Sequence, residues 1–242
     1  MHSRHLLALA LSAALLALPL AATAQDEGGE EEEGIFSWNA ALASDYLFRG
    51  VSQNEEDPTL QLGADLNFAN GLYVGAWASN VDFGDEGSPD VELDYYVGWN
   101  TDLSERWNLD LMLTRYAYLG EADDYGALDY NEFIATLSLD ETYGFVLGYT
   151  NDVYALDDDG WYYGLTGSWT IADSFGLDVG VGHSTFASST EIEDYTDWSI
   201  SVNRDFGPVN ISLGYYGTDG NGDDNFGDLA DDRLMLMFSI GG

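Results

Sequence analysis

The chain has 242 residues, 44 of them Asp or Glu against six basic residues, for a formal net charge of −38; the basic residues are all Arg, and Cys is absent. A surface this acidic repels phosphate backbones, which excludes nucleic-acid partners. The missing Cys excludes a disulfide framework and thiolate metal sites.

Residues 1–24 read as a cleaved export signal. His2, Arg4 and His5 make a basic start, 6–20 is an apolar run, and Ala22-Thr23-Ala24 is a small-residue cleavage site. Beyond it no stretch offers the roughly 18 uninterrupted apolar residues of a membrane helix. Residues 25–34, QDEGGEEEEG, are acidic and glycine-rich with nothing to bury, and read as a disordered lead-in.

From 35 to 242 the signal is alternation with period two, the mark of strands with unlike faces. A first strand over 36–48 sets Phe36, Trp38, Ala40, Leu42, Tyr46 and Phe48 against Ser37, Asn39, Ala41, Ala43, Asp45 and Arg49. The second sets Leu60, Leu62, Ala64, Leu66 and Phe68 against Gln61, Gly63, Asp65 and Asn67. In the third, 72–81, Tyr73 and Trp77 oppose Leu72, Val74 and Ala76, so its faces are ambiguous. The fourth sets Val91, Leu93, Tyr95, Val97 and Trp99 against Glu92, Asp94, Tyr96, Gly98 and Asn100. The pattern recurs at 107–113, 133–139, 145–149, 161–169, 175–181, 198–202, 209–215 and 234–240, making twelve strands.

The connections alternate too. Short turns at 69–71, 101–106, 140–143, 171–174 and 205–208 separate longer acidic loops at 50–58, 81–90, 119–129, 151–160, 186–195 and 218–231. Short turns at one end and long loops at the other are the habit of outer-membrane barrels. The expected fold is therefore all-β: an antiparallel up-and-down transmembrane β-barrel of about twelve strands, with short periplasmic turns and longer acidic extracellular loops. The polar faces also collect glycines (Gly63, Gly75, Gly98, Gly148, Gly164, Gly180, Gly182, Gly214), which leave room in a lumen or ease curvature beside aromatics. Trp38 with Phe48, and Trp161 with Trp169, bracket single crossings as aromatic girdles do. The expected exterior is lipid-facing and the expected interior is wet.

Four segments carry a family resemblance: SDYLFRGVSQ (44–53), Asp57-Pro58 with Gln61, GLYVGAWASNVDF (71–83) and the closing GTDG…DDR (217–233). They resemble the TorF-type porin family, proteobacterial proteins of otherwise unknown function, over essentially the whole mature chain. The resemblance implies an outer-membrane barrel and a pore. It supplies no catalytic residues and no known substrate.

The lumen is expected to be lined by Asp45, Arg49, Asp65, Glu92, Asp94, Asp110, Glu132, Asp178 and Asp197, eight acids to one base. Such a field favours cations, so the first reading is passive diffusion of small hydrophilic solutes with cation preference and no cofactor. A second is a non-conducting surface barrel whose acidic loops bind ligands or divalent cations. A third, an outer-membrane hydrolase, would rest on His183, whose neighbour Ser184 faces the other way. Asp219, Asn221 and Asp223 have the 1, 3, 5 spacing of a calcium loop, but Asp224 and Ala230 occupy the positions that need Gly and Glu. Tyr73, Trp77, Tyr96, Tyr116 and Tyr118 on polar faces suggest either ring stacking on a sugar or packing against glycines. Outer-membrane lipid and the barrel-assembly machinery are the expected partners. The acid-rich, Lys-free composition suits a saline habitat.

Overall fold

The computed structural model describes residues 35–84, 87–120, 128–172 and 174–242. The export signal and the lead-in expected at 1–34 lie outside the described residues. Twelve antiparallel strands form the wall: β1 (Phe36–Ala43), β4 (Thr59–Asn67), β5 (Leu72–Asn80), β6 (Val91–Asp102), β7 (Trp107–Leu119), β8 (Tyr130–Leu139), β9 (Tyr143–Thr150), β10 (Gly160–Ile171), β11 (Phe175–Phe186), β12 (Tyr195–Phe206), β13 (Val209–Thr218) and β14 (Arg233–Gly241). Each pairs with its neighbour in sequence, and β1 closes the cylinder by pairing with both β4 and β14. Closure leaves no edge strand, so every backbone ladder is satisfied within the wall, as a bilayer requires.

Side-chain alternation sets the faces. On β7, Leu113 is 50% exposed while Thr114 beside it is 2% exposed, and the same contrast runs round the wall. Leu42, Leu62, Val97, Phe145, Leu165, Ile200, Leu213 and Leu236 all point outward and are exposed. An apolar belt of this extent has nothing to shed water against except lipid. Outward arginines lie near the rims: Arg115 pairs with Asp129 (3.1 Å), and Arg204 lies 4.9 Å and 5.1 Å from the rings of Phe175 and Phe206. Long charged side chains are accommodated there because their heads reach water.

The expected first strand, 36–48, needs correction. The wall strand ends at Ala43, and the Ser44 amide donates a last backbone bond to the Leu236 carbonyl while Ser44 Oγ accepts from the Leu236 amide. The chain then turns into the lumen as a small hairpin, β2 (Leu47–Phe48) and β3 (Val51–Ser52). Its two-residue turn is Arg49-Gly50, with φ of 47° and 83°. Positive φ at both positions is the type I′ geometry that matches strand twist in a tight hairpin. Gly50 is required twice over, since an added Cβ would also lie 2.7 Å from Thr218 Cγ2 and 2.9 Å from the Gly217 carbonyl. Tyr46 and Phe48, expected to face lipid, are 2% and 1% exposed inside the barrel. Asp45 and Arg49, expected on the wall, belong to this inserted segment instead.

Candidate functional site in the barrel lumen

The two halves of the lumen differ. Toward the long loops the interior is a packed core in which Tyr46, Phe48 and Val51 of the hairpin meet Trp77, Tyr116, Tyr130, Tyr154 and Tyr195. Loop residues close over it: Val81 and Phe83 after β5, Val153 and Tyr154 after β9, and Ala230 in the segment between β13 and β14. Burying a large apolar side chain is worth about 1.5–3 kcal/mol, so this core is a substantial anchor for the hairpin.

The hairpin reaches wall strands on every side. Tyr46 packs on Trp77 of β5 (ring centroids 5.3 Å apart) and donates to Glu92 of β6 (3.2 Å). Gly50 abuts Thr218 and Gly217 at the end of β13, and Asp197 of β12. Arg49 crosses to β8, donating from Nη2 to Glu132 Oε1 at 2.7 Å. Its guanidinium lies 4.5 Å from the ring of Phe48 and 4.1 Å from that of Tyr162 on β10. Gly148 of β9 makes the space, because a Cβ there would sit 2.7 Å from Glu132 Oε1. Tyr116 donates to the other Glu132 oxygen at 3.0 Å and so fixes the carboxylate. Burial would lower the Arg49 pKa, but Glu132 above all, then the tyrosine cluster, hold it above its ordinary value. The guanidinium is therefore a permanent buried cation.

Asp45 anchors the base of the hairpin. Its Oδ1 accepts from Ser52 Oγ and the Tyr46 amide, both at 2.7 Å, and its Oδ2 accepts from Arg233 of β14 at 3.0 Å. Arg233 also donates to the Asp228 and Asp231 carbonyls, tying the hairpin to the loop before β14. Burial pushes the Asp45 carboxyl above its usual range despite Ser52 and Arg233. Arg233 is an inward cation that the sequence reading missed. The alternation of β14 (Arg233, Met235, Met237 inward) would have found it had the strand been started one residue earlier.

The remaining expected lumen residues sit at inward wall positions. Glu92 and Asp94 lie two apart on β6 in the filled half, and Asp197 lies beside the hairpin tip. Toward the short turns the lumen is polar and partly open. There Asp65 accepts from Tyr96 (2.6 Å), Asp110 from Tyr73 (2.9 Å) and Asn100 (3.3 Å), and Asp178 from Ser168 and Asn203 (both 2.6 Å). Tyr73 and Tyr96 lie over Gly98 and Gly75, where an added Cβ would collide with the ring. The polar-face aromatics are thus engaged within the protein: Trp77 with Tyr46 of the inserted segment, Tyr116 with Glu132 of the wall, and Tyr118 with the loop residue Phe83 at 5.9 Å.

The weak calcium candidates serve the loop itself. Asp219 caps a seven-residue helix, α1 (Gly220–Phe226), and accepts from the Thr196 amide, while Asn221 donates to the Asp194 carbonyl. Asp223 lines an open cleft of about 320 Å³ with Thr218, Asp231 and Asp232. Among the described residues no three His, Asp or Glu side chains converge as a metal site. His183 faces outward, 3.1 Å from Thr196 Oγ1, whereas Ser184 is buried inside.

A family model described as a bacterial protein of unknown function (Gcw_chp) matches residues 28–237. No curated protein matches the sequence. Among solved structures the chain is similar to the KdgM porin, with a TM-score of 0.51 at 6% identity over 85% of this chain and 96% of that one. It is similar also to the NanC porin, with a TM-score of 0.52 at 11% identity over 85% and 97% of the two chains. At these identities the likeness is one of fold.

Proposed function

Because the chain belongs to the bacterial Gcw_chp family and shares the closed barrel of outer-membrane porins, we propose that it is an outer-membrane porin of the TorF type. It passes small hydrophilic solutes, prefers cations, and is closed at rest by its own 45–54 hairpin. The observation that carries the reading is the barrel itself, belted by exposed apolar side chains outside and acid-lined within. Wall acids Asp65, Glu92, Asp94, Asp110, Glu132, Asp178 and Asp197 face the lumen against Arg49 and Arg233. Low-dielectric walls focus that field and concentrate cations.

The filled half of the lumen favours one rival, a barrel that never conducts. Planar-bilayer recording of the full chain beside Arg49→Ala separates them. A mostly closed wild type with an open variant supports a plugged porin, and silence from both supports the rival. Orientation follows from loop length, with the long loops outside and the short turns in the periplasm. Epitope tags at 151–160 and 218–231 should label on intact cells and tags at 69–71 and 205–208 should not. The reverse pattern would invert the barrel.

A further inference from the structure

The socket that holds Arg49 is built like a ligand site, and its occupant fits it imperfectly. Tyr162 offers a ring face, Glu132 a carboxylate fixed by Tyr116, and Gly148 the space between them. Asp197 adds a second acid about nine-tenths buried, whose Oδ2 has no hydrogen-bond partner among the described residues. Its Oδ1 receives a long bond from the Tyr162 hydroxyl (3.4 Å). Two buried acids thus flank one cation. Arg49, held by its place in a tight turn, satisfies Glu132 through a single nitrogen, and its Nε has no hydrogen-bond partner among the described residues. A free guanidinium has no such tether. It can present two parallel N–H groups to one carboxylate while stacking on the ring.

We propose that this socket is a recognition site for small solutes bearing a guanidinium group, and that Arg49 is a tethered mimic which such a solute displaces. The inference rests on the porin reading only in giving the displacement a purpose: an arriving solute takes the socket, the hairpin loses its central anchor, and the lumen opens to that solute. A planar fork that stacks and pairs is preferred over an ammonium of the same charge. Anionic solutes are refused by Glu132 and Asp197.

The test is a binding measurement that needs no conductance. Arg49→Ala protein in detergent, its barrel verified by heat-modifiable migration, is titrated calorimetrically with agmatine and with 1,4-diaminobutane. Saturable agmatine binding is expected, tighter than diaminobutane binding. Adding Glu132→Gln should weaken it at least about 30-fold, the scale set by removing one partner of a buried charge pair. Arg49→Gln replaces Arg49→Ala if the latter does not fold. A folded variant that binds no agmatine would overturn the proposal. So would binding unchanged by Glu132→Gln, which would mark it as attraction to the acidic loops. Agmatine binding by a barrel that never conducts would contradict the porin reading instead and leave the socket standing.

Discussion

Arg49 is the residue on which the proposed closed state turns. Its charge is balanced inside the barrel by Glu132 at 2.7 Å, and its plane is covered by Phe48 and Tyr162. Removing one partner of a buried ion pair strands the other, at a cost of about 3–5 kcal/mol. Arg49→Ala should therefore weaken hairpin docking by about that amount. Amide hydrogen exchange should rise steeply at residues 46–53 while the wall strands stay protected. Uniform loss of protection would mean that Arg49 supports the barrel instead of the plug. A different residue tests the open half. Gly98→Ala puts a methyl group into the ring of Tyr73, which must swing away and give up Asp110. Overpacking of this kind costs about 1–3 kcal/mol, so the melting temperature should fall; an unchanged melt would show that the Tyr73–Asp110 contact is dispensable.

At the scale of the element, the hairpin is separable from the wall. Ala43 pairs with both Thr59 and Met237, so β1 is fixed on both sides before the chain turns inward. Docking is also coupled to protons through Asp45, which burial holds above its usual pKa. A carboxyl whose docked pKa exceeds its free value takes up a proton on docking. Its contribution is complete below the free value of about 3.9 and is lost as pH rises through the docked value. Closed intervals should lengthen between pH 7 and pH 4, and Asp45→Asn should remove part of that dependence. An Asp45→Asn trace with the full wild-type response would assign it to other groups.

The wall was legible in the sequence because lipid outside and water inside impose a strict two-residue alternation, and the loop lengths alternate with it. The hairpin was not, for a physical reason. The core of a plug and the lipid face of a strand call for the same residues, so Tyr46 and Phe48 continue the apolar row begun by Phe36, Trp38, Ala40 and Leu42. Arg-Gly is also a weaker turn signal than Asn-Gly, so nothing in residues 44–53 announced that the chain leaves the wall. The inward wall acids were readable from the same alternation. Their division into a packed half and a wet half was not, because it depends on where the hairpin lands.

At the scale of the whole molecule, the proposed cation-preferring passage is closed by a segment of its own chain. Replacing 45–53 with a short Gly/Ser linker keeps the closure of β1 with β14 and removes the hairpin, and Asp45 and Arg49 go with it. The wall acids remain, among them Asp65, Asp110 and Asp178 in the open half. The most direct measurement is the current of this variant beside wild type in a planar bilayer across a KCl gradient. Wild type should be largely silent. The variant should conduct steadily, with a reversal potential of the sign for cation selectivity that shrinks as total salt rises and screens the field. A variant that folds but passes no current, or whose reversal potential is that of an anion-selective pore, would contradict a plugged, cation-preferring porin.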